Sequence, residues 1–201
     1  MLKALNSGKN VLAFEPIEHN VKMLLRNINE NQFPSECSII PVALGDKTGI
    51  SPIYGASTGA SLISGWADQN DYTLVPVIPF DSICSSMIKD KNCFIIIDIE
   101  GAELSCLKGA KSLLTSNCSN VFMVEITVEE HQPKGISINP KLIQTFELFF
   151  SFNYSAYTAD ANLRKVNFEE VQKIVETGED TLGIHNFLFI KNEMSLSDLG
   201  I

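Results

Sequence analysis

Short apolar runs alternate with stretches of helical periodicity along most of the chain. Residues 10–16, NVLAFEP, form one such run, closing on Glu15 and Pro16. Proline holds the residue before it extended and suits the first turn of a helix. The helix it introduces is predicted to run to residue 31, with Val21, Leu24, Leu25 and Ile28 on one face and Glu18 in its first turn. Residues 38–46 read as a second strand, DKTG as a turn, and ISPIYG as a strand folding back. The Gly/Ala/Ser-rich stretch 55–71 reads as a loop. Two prolines in 72–80 place that extended segment at a sheet edge. Asp81 is the expected N-cap of a short helix over 82–89.

The next run, FIIID, ends at Asp98 and leads through Glu100, Gly101 and Glu103 into a helix with Leu104, Leu107, Lys111 and Leu114 on one side. Residues 120–127 form another apolar strand, with Glu125 near its end. A helix from Pro140 carries Leu142, Ile143, Phe146, Phe149 and Phe150. A strand over 152–159, a helix over 167–178 closed by Gly178, and a strand over 182–191 complete the pattern, before ten residues that read as frayed. Strands alternating with helices predict an α/β domain with an open, mostly parallel sheet covered on both faces. Such sheets bind ligands beyond the carboxyl ends of their strands. Glu15, Asp46, Asp98 and Glu125 all fall there, and adjacent carboxylates repel unless something shares their site.

Charge and cysteine usage narrow the classes. The 201 residues carry a formal net charge of −9, which disfavours partnership with nucleic acid or anionic membrane. The five cysteines are scattered and never spaced C-x-x-C, as expected of reduced thiols in a cytoplasmic protein. Three well-separated histidines give no zinc pattern, so no metal site is expected. No apolar run reaches the length of a membrane span.

Taken in order, VLAFEP, LLRNINEN, VALGDKTG, GASL, VIPFDSI, IIIDIEGAELSCLKGA, VFMVEI and NFLFI resemble the FkbM family of S-adenosylmethionine-dependent methyltransferases. The resemblance spans residues 10–191 and implies a Rossmann-like methyltransferase fold whose last strand is antiparallel. It implies S-adenosylmethionine as cofactor and O-methylation of a small-molecule or glycan hydroxyl. By the same resemblance Glu15, next to Pro16, accepts hydrogen bonds from the cofactor's ribose, and Ala43, Leu44 and Asp46 lie against its adenine. Asp98 and Glu100 border the methyl-transfer pocket, as acceptor base or as holders of the cofactor's cationic end. Glu103 is expected to serve its own helix, at a few tenths of a kcal/mol. Glu125 and the loop residue His131 are secondary candidates for the acceptor side, which the loop 55–71 is expected to flank.

One part of the family pattern is missing. Residues 1–9 read as the tail of a first helix capped by Gly8, so the first strand and its Gly-rich turn are absent. The chain therefore reads as a single, N-terminally incomplete domain that should bind cofactor weakly. Its β-strands at 11–15 and 94–98 must then pair directly or leave a gap between them. The alternative reading is a catalytically inactive module that keeps the fold for binding.

Overall fold

The structure is a computed structural model that describes residues 9–32, 37–56, 59–68, 70–130 and 132–199. β1 (Val11–Phe14) leads into α1 (Glu18–Glu30), and β2 (Cys37–Ile40) pairs with β1 in parallel. Pro41 offers no N–H to a ladder, and the predicted strand over 38–46 divides there. Its second half, β3 (Ala43–Leu44), pairs instead with β5 (Tyr72–Ile78), and β4 (Gly49–Tyr54) lies antiparallel on the other side of β5. β5 is thus the middle strand of three, not the edge its prolines suggested. β3 reaches only Val77 and Ile78, so Pro76 has a single flanking strand, where a missing N–H costs least.

The main sheet runs β6 (Phe94–Ile97), β7 (Val121–Glu125), β10 (Asn186–Lys191), β8 (Tyr154–Thr158), β9 (Lys165–Val166). β6 and β7 are parallel, and β10 is antiparallel to both of its neighbours, as the resemblance implied. No ladder joins β1 to β6 among the described residues, so the gap, not the direct pairing, is what the structure has. Phe94 and Ile96 stand 61% and 55% exposed on β6.

Two helices differ from expectation. α2 (Phe80–Ile83) is a single turn with no side-chain cap, and Asp81 instead accepts hydrogen bonds from the Ser112 N–H and hydroxyl. It thereby caps a different helix, α4 (Lys111–Thr115). The helix predicted after Gly101 is broken into α3 (Glu103–Lys108) and α4, with Lys111 exposed while Leu104, Leu107 and Leu114 are buried. Gly109 lies at the break. A Cβ there would stand 1.9 Å from the Gly45 carbonyl oxygen, so only glycine lets the β3 turn pack against the end of α3.

α5 (Leu142–Ser151) and α6 (Phe168–Thr177) cover the other end of the sheet. Asn167 caps α6 through the Glu170 N–H, and Gly178 ends it at φ +72°. Phe122, Phe146, Phe149, Tyr154, Phe187 and Phe189 form a buried aromatic core, with Phe149 stacked on Phe189 at 3.8 Å between centroids. At its margin the Lys191 ammonium donates to the carbonyls of Leu114 and Phe152 and lies 4.5 Å over the Tyr154 ring. A 3-10 turn, Leu196–Leu199, occupies part of the stretch read as frayed.

Candidate functional site

Parallel pairing of β6 with β7 sets Ile97 against Val124, so the residues that follow, Asp98 and Glu125, emerge side by side at one edge of the sheet. The chain then reverses through two successive left-handed residues, Glu100 at φ +55° and Gly101 at φ +92°. The glycine adopts this at no steric cost, whereas the glutamate incurs roughly 1–2 kcal/mol. Surrounding groups hold the turn. The Ser61 hydroxyl donates to the Glu100 carbonyl at 2.5 Å, and the Trp66 Nε1–H donates to Glu100 Oε2 at 3.1 Å. From the opposite side, Lys141 Nζ donates to the Gly101 carbonyl at 3.2 Å.

This turn brings three carboxyl groups together. One oxygen each of Asp98, Glu100 and Glu125 lie within 4.8 Å of one another, with Asp98 exposed and the other two half-buried. Glu125 is pushed up to about 8, first by burial, then by its hydrogen bond to Asp98 and the charges of Asp98, Glu100 and Glu103. Its surroundings thus favour the protonated form. A proton there relieves the repulsion expected of clustered acids. Such a group can accept a proton from a bound hydroxyl, orient that hydroxyl, or face a cationic ligand.

Glu103 lies outside this trio in role. It is 4% exposed, and its Oε1 accepts the Gly101 N–H at 2.9 Å. Burial raises its pKa, against backbone hydrogen bonds and the charge of Lys141. Burial in turn lowers the pKa of Lys141. Glu103 thus fastens the turn from within as well as sitting in the first turn of α3, a larger structural task than helix-dipole compensation.

The remaining candidates fall elsewhere on the strand ends. Glu15 follows β1, half-buried, with Oε1 accepting the Ile17 N–H at 2.8 Å. Pro16 lies between them and cannot make that bond itself. Ala43 is buried and Leu44 half-buried in β3. Asp46 is exposed just beyond, where Oδ1 accepts from the Ser105 hydroxyl at 3.0 Å and its own N–H donates back to that oxygen at 3.2 Å. Neither Glu15 nor Asp46 joins the acid trio. His131 lies outside the described residues.

Ser61, Trp66 and Lys141 were not legible as site residues in the sequence. Trp66 had one signal to offer, being the only tryptophan of the chain and standing in a loop of small residues. A cavity of about 620 Å³ opens near Phe150, Tyr154, Val166 and Phe168, but none of the strand-end acids lines it.

Comparison with known proteins gives the fold and the family. No curated protein matches the chain. The crystal structure of a methyltransferase FkbM from Methylobacillus flagellatus KT has the same fold, at a TM-score of 0.51 and 19% identity. The alignment covers 90% of this chain and 36% of that one, so the chain spans about a third of that protein's length. The family called the methyltransferase FkbM domain matches residues 1–156, a span that includes every strand-end acid from Glu15 to Glu125. The chain belongs to the FkbM methyltransferase family.

Proposed function

We propose that the chain carries the cofactor and acceptor edge of an S-adenosylmethionine-dependent O-methyltransferase acting on a sugar or natural-product hydroxyl. The observation that carries this reading is the trio of Asp98, Glu100 and Glu125 at the carboxyl edge of parallel strands, in a chain of this family. Glu15 fits the ribose of such a cofactor on geometry. It ends a strand, is partly open to solvent, and is fixed by the Ile17 N–H, and a fixed carboxylate suits a vicinal diol. Ala43, Leu44 and Asp46 would flank the adenine, and Asp98 would face the cationic end.

When bound, S-adenosylmethionine supplies an electrophilic methyl group that needs no further activation. The protein's tasks are then alignment and deprotonation of the acceptor. Asp98 and Glu125 stand side by side as candidate proton acceptors, and Glu100 is within reach to orient the hydroxyl.

Calorimetric titration of the full-length protein with S-adenosylmethionine tests the assignment. Glu15→Ala should weaken binding by about 1–3 kcal/mol, the range for losing a charged hydrogen-bond partner. Asp98→Asn should slow methyl transfer while leaving the fold intact. Unchanged affinity in Glu15→Ala would refute the ribose role, and a parent protein that binds no S-adenosylmethionine would favour the binding-module reading.

A further inference from the structure

The loop over residues 59–68 touches the acid-bearing turn at three points. Ser61 is wholly buried, and its hydroxyl both donates to the Glu100 carbonyl and accepts the Ile63 N–H at 2.9 Å. The Trp66 ring packs on Gly101 so closely that a Cβ there would stand 2.5 Å from Cζ3. The Trp66 indole N–H reaches the Glu100 carboxyl itself. Ring packing alone would be served by phenylalanine, which has no donor. The indole N–H is the feature that only tryptophan brings.

We propose that Trp66 is a positioning residue: its indole N–H fixes the Glu100 carboxyl beside Asp98 and Glu125, so that the 59–68 loop and the acid trio move as one unit. Its catalytic consequence rests on the methyl-transfer reading above, whereas its structural content does not. Among the described residues, the charged and titratable groups around Glu100 include Asp98 from its own segment and Glu125 from β7, each with a carboxyl oxygen within 4.8 Å of one of its own, and Lys141 from the residue before α5, whose ammonium holds the adjacent Gly101 carbonyl. Glu100 sits in a left-handed conformation that side chains rarely adopt, and contacts from outside the turn keep it there. A ligand that displaces the loop would therefore disturb the acids, and one that engages the acids would be felt at the indole.

The chain has one tryptophan, so its proton–nitrogen correlation spectrum holds a single indole N–H resonance. In the parent that resonance should move with pH through an upper step near the value of about 8 that belongs to Glu125, whose carboxyl lies within 4.8 Å of that of Glu100. Glu125→Gln should abolish the upper step, and Glu100→Gln should shift the resonance and flatten its titration. An indole resonance indifferent to both pH and Glu100→Gln would overturn the proposal. The second arm uses Trp66→Phe in the full-length protein, with S-adenosylmethionine and the acceptor hydroxyl it methylates. That variant keeps the ring and loses the donor. Its kcat should fall about tenfold or more and its pH–rate profile should shift, while the KM for cofactor holds. Parent-like kcat and pH profile in Trp66→Phe would also overturn it. If Trp66→Phe does not fold, the Glu100→Gln spectrum decides alone. A protein that shows the indole titration but transfers no methyl group upholds the positioning role and fails only the functional reading.

Discussion

β6 and β10 are written in nearly the same apolar alphabet, FIII and NFLFIK, yet the fold treats them differently. Phe187 and Phe189 of β10 are wholly buried against the helices α5 and α6, and Ile190, equally buried, packs with Val121 and Leu188 in a separate cluster. On β6, Ile97 is buried while Phe94 and Ile96 face outward at 61% and 55% exposure. Among the described residues, β10 has a strand on each side and β6 has β7 alone. An apolar run thus specifies a strand, and its neighbours specify whether both faces are covered. Two of the three acids, Asp98 and Glu100, follow the less supported of the two strands, and Glu125 ends its neighbour β7. The trio's geometry depends on cross-links from outside the sheet: Ser61, Trp66 and Lys141.

The sharpest way to break the comparison is to cut into both ends. Phe149→Ala, in the aromatic core against β10, should cost about 3–5 kcal/mol in urea denaturation. Phe94→Ala on β6 should stay within about 0.5 kcal/mol. Equal costs would mean that β6 is as well packed as β10. A second test sharpens what holds the acid-bearing turn. Glu103→Ala removes a buried acceptor for the Gly101 N–H and should cost about 1–3 kcal/mol by the same measurement, well above the few tenths expected of a helix-dipole residue. A loss of only a few tenths would return Glu103 to that lesser role.

A further test concerns pH. A carboxyl with a higher pKa in the folded than in the unfolded chain keeps a proton that the unfolded chain has already released. Stability therefore falls as pH rises from the ordinary carboxylate range toward the value of about 8 given by Glu125, and levels beyond it. Glu125→Gln abolishes that dependence. Its melting temperature relative to the parent should rise between pH 5 and pH 8.5, and a constant difference would show that Glu125 is not raised.

Much of this architecture was legible in period and punctuation. The helix closing at Gly178, the apolar strands and the acids at their ends follow from residues that dictate local backbone. That Asp98 and Glu100 would lie together at one edge of the sheet was legible because a parallel strand delivers its last residues there. Glu125 was visible only as a weaker candidate, since its partnership with Asp98 depends on which strand lies beside β6. Asp81 shows the same limit from the other side. An acid before a short helix reads as its cap, and the structure gives that acid to Ser112, thirty-one positions away. The division at Pro41 and the break at Gly109 were missed because each depends on what packs against the chain. The glycine that looked like part of a family signature is required by the carbonyl of Gly45. Trp66 lay in a loop with no periodicity to mark it.

Lys191 offers a clock as well as a contact. Its amine is tied to two main-chain carbonyls above an aromatic ring, so acylating reagents and trypsin meet it only when the last strand lifts away. Lys22, on an exposed helix face with its side chain 70% accessible, is open to the same reagents in the folded state. In a timed labelling experiment read by mass spectrometry, the lag of Lys191 behind Lys22 measures how often the C-terminal half opens, without denaturant and without knowledge of any ligand.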